Sequence, residues 1–163
     1  MPGETSTLSQ PPRMPADSTP KNVVSTSAHP LSRLDTPALV LDAQRLSANT
    51  AMMRERARTL GVSLRPHVKT SKCIDVARLA GGGEIGPVTV STLKEAEHFF
   101  AAGFTDILYA VGITPDKLPH IARLRQAGCD LKIVLDSLEA AHAVVHARQD
   151  LNQDLPCLLE IDC

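Results

Sequence analysis

Aromatic residues are scarce in this chain: no tryptophan, one tyrosine and three phenylalanines among 163 residues. A core must therefore be assembled from Leu, Val, Ile, Ala and Met. No apolar run approaches the roughly 20 residues that span a bilayer. Neither sign of charge dominates, since 17 basic and 18 acidic residues leave a formal net charge of -1. Nucleic acid, polyanions and charged membrane surfaces are therefore not expected as partners. The cysteines at 73, 129, 157 and 163 form no C-x-x-C and no Cys/His spacing of a zinc finger or ribbon. Without a secretory apolar region they are expected to be reduced thiols in a cytoplasmic protein.

Residues 1–33 are rich in Pro, Ser and Thr and almost devoid of apolar periodicity. Such a segment buries too little surface to offset its ordering entropy, so a disordered tail is expected. Regular signals begin at Leu34, and residues 34–163 are expected to form one domain. "TPALVLD" (36–42) reads as a short strand, after which Asp42 can cap a helix through about Leu60. Its inward stripe is predicted to be Leu46, Asn49, Met53, Ala57 and Leu60, with Gly61 at the C-terminal stop.

From Gly61 onward, strands alternate with helices. Strands are predicted at 63–69, 87–91, 106–111, 131–136 and 157–162. Helices are predicted at 72–80, 93–102, 115–127 and 138–149. Thr92 with Glu95 forms a capping box. Pro115 suits a first helical position, and Gly103 and Gly128 close helices. This alternation implies βαβ units and an α/β fold with a parallel sheet covered on both faces, as a barrel or a doubly wound sheet. The chain stops on a strand, and five such strands are too few for an eight-stranded barrel. The expectation is therefore an N-terminal part of a larger protein.

The stretch "LRPHVKT" (64–70) carries the chemistry. Leu64, Pro66 and Val68 share one parity, and Arg65, His67 and Lys69 the other. If the second face lies inside a barrel, its charge needs compensation. "CLLEIDC" offers Glu160 and Asp162 on one face as candidate partners. Lys69 falls at the C-terminal end of its strand, where parallel barrels place their chemistry. A desolvated lysine there is a nucleophilic amine suited to a Schiff base. A solvated edge or a structural ion-pair network is the competing reading.

"TPALVLD", "RPHVKT", "VTVSTLKEAEHFFAAGFTDILYA" and "LLEIDC" together resemble the D-threonine aldolase and D-serine dehydratase family, from about Thr36 to Cys163. The resemblance implies the alanine-racemase type of pyridoxal-phosphate barrel, here a partial TIM-type barrel of about its first five strands. It implies that Lys69 carries pyridoxal phosphate as a Schiff base. The cofactor contacts expected are Lys69, His67, Arg65 and Asp162, with Lys69 the catalytic group. His67 is expected beside the cofactor's phenolic oxygen or orienting Lys69. The reaction implied is that of a lyase on small D-β-hydroxy-α-amino acids. Rival readings are an amino-acid racemase, a non-catalytic pyridoxal-phosphate carrier, or a fragment inactive by itself. The family's later phosphate loops, its C-terminal β-domain and its divalent-metal site have no counterpart before Cys163. No metal ligand is assigned within this chain, and the family leaves monomer and homodimer open.

Other features read more plainly. "AGGGEIG" (80–86) lacks the ending of a phosphate-binding loop and reads as a helix stop. His142 and His146 share a helix face, where packing or surface roles outweigh metal binding. Tyr109 sits near a strand end, with core packing favoured over lining a pocket.

Overall fold

The computed structural model describes residues 29–161. Most of the expected 1–33 tail lies outside them, as does Asp162. The chain divides into two units, residues 1–40 and 41–163. The described part of the first holds a short 3-10 turn, Pro30–Arg33, started by His29, whose Nδ1 accepts the Leu31 N–H at 3.3 Å. No strand forms over 36–42, which corrects the expectation from "TPALVLD". Leu39 is 98 % exposed, and an apolar run without a hydrogen-bonding neighbour has no ladder to join.

The second unit opens with α1 (Ala43–Leu60), whose N-cap Asp42 accepts the Arg45 N–H and whose stop is Gly61 at φ 65°. α1 buries no residue fully. Its half-buried positions are Leu46, Thr50, Arg54 and Ala57, while Asn49, Met53 and Leu60 are exposed. The predicted stripe was thus rotated from the true one. The reason is a polar contact: Arg54 Nη1 donates to the Leu79 carbonyl at 2.7 Å, docking α1 on the next helix, α2 (Ile74–Ala80).

Four parallel strands follow in the order β1 (Val88–Val90), β2 (Asp106–Gly112), β3 (Asp130–Leu135) and β4 (Cys157–Leu159). Between them run α3 (Leu93–Ala101), α4 (Leu118–Gln126) and α5 (Leu138–Leu151). These are the expected βα units, and they form the partial barrel. No helix among the described residues is long and apolar enough to cross a membrane.

Two predicted elements are shorter, for one reason. The strand expected at 63–69 survives as a single bridge, His67 to Thr89, flanked by Val68 N–H to Thr89 O and Thr89 N–H to Pro66 O, both 2.9 Å. Pro66 has no N–H to extend the ladder. The helix expected from 115 begins as a 3-10 turn, Pro115–Lys117, and becomes α4 only at Leu118. Pro119 cannot donate back to residue 115, so the first α-helical bond there is unavailable to it.

Register assigns the two faces of the sheet. Val90, Tyr109 and Ile133 align, and all three are buried. They meet Phe99, Phe104, Leu118 and Ile121, also buried, in one cluster. Phe99 and Phe104 pack edge to face at 5.4 Å. Tyr109 therefore belongs to the core, its hydroxyl accepting from Lys117 Nζ at 2.9 Å. The alternate residues His67, Thr89, Leu108 and Lys132 form the inner face. Along it Thr89 is buried, Leu108 and Lys132 are half-buried and His67 is exposed, where a face covered throughout was expected.

Candidate active site

The basic side chains of "LRPHVKT" separate along the strand direction. Arg65 and Lys69 lie four residues apart, about 13 Å in extended chain. Arg65 sits at the N-terminal end of the sheet. Its Nη2 donates to both carboxylate oxygens of Asp106 at 2.9 and 2.8 Å, and its Nη1 to the Asp106 carbonyl at 3.2 Å and the Val88 carbonyl at 3.4 Å. Lys132 Nζ reaches Asp106 Oδ1 at 2.9 Å and Asp130 Oδ2 at 2.6 Å. Burial opposes the ionisation of Asp106, but hydrogen bonds from Lys132 and Arg65 outweigh it and hold the carboxyl below its usual range.

Charge compensation for Arg65 is therefore internal and comes from Asp106, not from Glu160 as expected. The Glu160 side chain is exposed and makes no ion pair among the described residues; its N–H joins the Leu135 carbonyl at 2.9 Å. Asp106 was missed although a signal existed. A charged residue opening an apolar strand, with Lys132 on the neighbouring strand, already marks a paired inner face.

His67 and Lys69 lie together at the C-terminal end. Val68, 3 % exposed, anchors the segment to β1. After it the chain turns through Lys69, Thr70 and Ser71, closed by the Lys72 N–H on the Val68 carbonyl at 2.8 Å. Lys69 is exposed and makes no ion pair among the described residues. Its N–H donates to His67 Nδ1 at 3.3 Å. A ring accepting at Nδ1 carries its proton on Nε2 when neutral, which faces Ser91 Oγ at 3.4 Å. Partial burial, then the Lys69 charge, push the His67 pKa down against an opposing pull from Glu95. The imidazole is thus neutral at neutral pH.

Beside this pair lies Glu95, on the first turn of α3. Thr92 Oγ1 accepts the Glu95 N–H at 3.0 Å, as a capping box requires. At the mouth of β2, a Cβ on Gly112 would stand 2.5 Å from Asp136 Oδ2, so that carboxylate rests on bare backbone.

An exposed primary amine beside a neutral imidazole, at the C-terminal end of a parallel sheet, can condense with an aldehyde. The residues present fit the aldehyde end of a pyridoxal cofactor. The Arg65 guanidinium is engaged by the Asp106 carboxylate, and among the described residues no group of three or more His, Cys, Asp or Glu is arranged around a metal.

Comparisons with known proteins bear on this arrangement. A family model described as alanine racemase, N-terminal domain, matches residues 41–163. D-threo-3-hydroxyaspartate dehydratase of Delftia sp. (strain HT23) is 49% identical over 132 residues, covering 81% of this chain and 35% of that protein. D-serine dehydratase of Dictyostelium discoideum is 34% identical over 143 residues, covering 82% and 36%. The solved structure of the Delftia dehydratase superposes with a TM-score of 0.75 at 48% identity, over 79% of this chain and 34% of that one. That of D-threonine aldolase from Filomicrobium marinum gives 0.68 at 28% identity, over 78% and 35%. The chain spans about a third of the length of the relatives it matches.

Proposed function

The chain belongs to the alanine racemase N-terminal domain family, and on that footing we propose that it is the lysine-bearing part of a pyridoxal-phosphate-dependent lyase acting on D-β-hydroxy-α-amino acids. The observation that carries the reading is the place of Lys69: an exposed amine at a strand's C-terminal end, held by its own N–H to a neutral imidazole. The relatives named above supply the substrate class, and the dehydratase at 49% identity favours loss of the β-hydroxyl over carbon–carbon cleavage. A cytoplasmic setting, with reduced thiols, belongs to the same proposal. So does the division into a tail at 1–33 and a barrel portion from 34.

When bound, pyridoxal phosphate supplies an electron sink for the bond broken at the substrate Cα. Lys69 Nζ would hold its aldehyde carbon, and the same amine, when free, would serve as the base for the substrate Cα proton. His67 fixes the Lys69 backbone through Nδ1 and offers Nε2–H as a neutral donor on the inner face. Arg65 acts at a distance, holding the strand in place through Asp106 and the Val88 carbonyl.

The test is covalent trapping. The chain is mixed with pyridoxal phosphate, reduced with borohydride and mapped by peptide mass. Label is expected on Lys69, and Lys69→Ala should abolish the yellow chromophore. A chromophore that survives the substitution would sink the assignment.

A further inference from the structure

We infer that Glu95 is a positioning residue: its buried carboxylate latches the turn that follows Lys69 to the end of β1, and so sets the direction in which the Lys69 amine leaves the sheet. The inference rests on the reading of Lys69 given above.

Glu95 is 7 % exposed. In a capping box the third helical residue reaches back to the N–H of the cap itself. Glu95 instead reaches one residue further, where Oε2 accepts the Ser91 N–H at 2.8 Å. Its other oxygen meets Lys72 Nζ at 3.2 Å. Helix capping accounts for neither choice. The Ser91 bond holds the C-terminal end of β1, and the Lys72 bond holds the far end of the turn.

That turn has two anchors with Lys69 between them. The near anchor is Val68, buried and hydrogen-bonded to Thr89. The far anchor is Lys72, whose N–H closes the turn on Val68 and whose backbone stands at φ 47°. Left-handed backbone is costly for a residue with a Cβ and persists only where the surroundings over-determine it. Here the Val68 carbonyl holds the Lys72 backbone and Glu95 holds its side chain. The groups facing that carboxylate are Lys72 from the turn, Ser91 and Thr92 from the end of β1, and His67 from the neighbouring segment. Lys94 and His98 of α3 line the same depression. The carboxyl stays ionised: burial opposes this, and the Ser91 N–H with Lys72 outweigh it.

Three variants test the latch in the chain itself: Glu95→Gln, Lys72→Met and the pair. Lys72 is mostly exposed, so its loss leaves folding intact. Each single change should slow pyridoxal-phosphate labelling of Lys69 roughly tenfold, a modest share of what misplaced reacting groups forfeit. Labelling of the other lysines should not change. The double variant should be no slower than the worse single, because both remove one interaction. Lys72→Arg should restore the rate. Amide exchange at Lys72 should quicken in both single variants. The His67 midpoint, followed by proton NMR, should fall in Glu95→Gln and stay in Lys72→Met. Lys69 labelling within twofold of the parent in both singles would overturn the inference, as would additive losses. If the parent itself is not labelled at Lys69, the proposed function fails, while exchange and the His67 titration still judge the latch.

Discussion

Replacing Asp106 by Asn tests the account of the charged inner face. The carboxylate receives two hydrogen bonds from Arg65 and one from Lys132, all 2.8–2.9 Å. At such separations the gross attraction is about 6 kcal/mol per pair for an effective dielectric near 20. Side-chain exposures of 39 % for Asp106, 28 % for Arg65 and 27 % for Lys132 call for a large discount. Net contributions of about 0.5–1 kcal/mol per pair remain. Lys132 keeps Asp130 in the variant, so the orphaned charge is Arg65. Its unpaired, part-buried guanidinium brings the expected loss to about 2 kcal/mol. With a urea slope near 2 kcal/mol/M, the unfolding midpoint should fall by about 1 M, read by circular dichroism. The sign with pH follows from the depressed carboxyl of Asp106. Its stabilisation is complete above the unfolded-state range near pH 4 and is lost as pH falls through the lower folded value. The gap between parent and variant should therefore close in acid, and narrow with added salt. Arg65→Met added to Asp106→Asn should recover part of the loss, because it removes the orphan. A gap under about 0.5 kcal/mol at pH 7, or one that persists unchanged at pH 2, would refute the reasoning.

Three further outcomes follow from single residues. Phe99→Ala, at a fully buried ring packed on Phe104, should cost about 3–5 kcal/mol in urea unfolding. Burial pushes the Cys129 thiol up to about 11, so at pH 8 iodoacetamide should alkylate it roughly a hundredfold more slowly than an ordinary thiol. Gly61→Ala should cost about 1 kcal/mol from the left-handed backbone alone, since an added Cβ meets nothing within 4 Å; Gly61→Asn should recover most of that.

Much of the fold was legible because it is written locally. Asp42 and Thr92 accept helix N–H groups where the sequence placed caps. Gly61, Gly103 and Gly128 take positive φ where it placed stops. The strands from β1 to β4 were read within two or three residues because apolar runs between such signals leave little choice. What was misread depends on a second element. The α1 stripe turns on whether Arg54 finds the Leu79 carbonyl, which periodicity cannot express. "TPALVLD" has strand composition but no ladder. Pro66 and Pro119 shortened their elements by a missing N–H, a signal present in the letters and given too little weight. For the site, parity put Arg65, His67 and Lys69 on one face; the structure pairs Arg65 with Asp106 and bridges His67 to Thr89, while Lys69 already lies in the turn beyond. Parity carried no information on how far along that face each finds a partner.

That distance separates two uses of one basic strand. A cation that holds strands together is best paired, and Arg65 has Asp106 on two sides. A lysine that must act as an amine is best kept from a carboxylate, since an ion pair favours the ammonium. The carboxylate beside His67 is Glu95, and both its oxygens are engaged, by Ser91 and Lys72. Lys72 thereby does two things at once: its N–H closes the turn on Val68, and its side chain meets the Glu95 carboxylate. The order K-T-S-K places the second lysine one turn beyond the first, where backbone and side chain can do both.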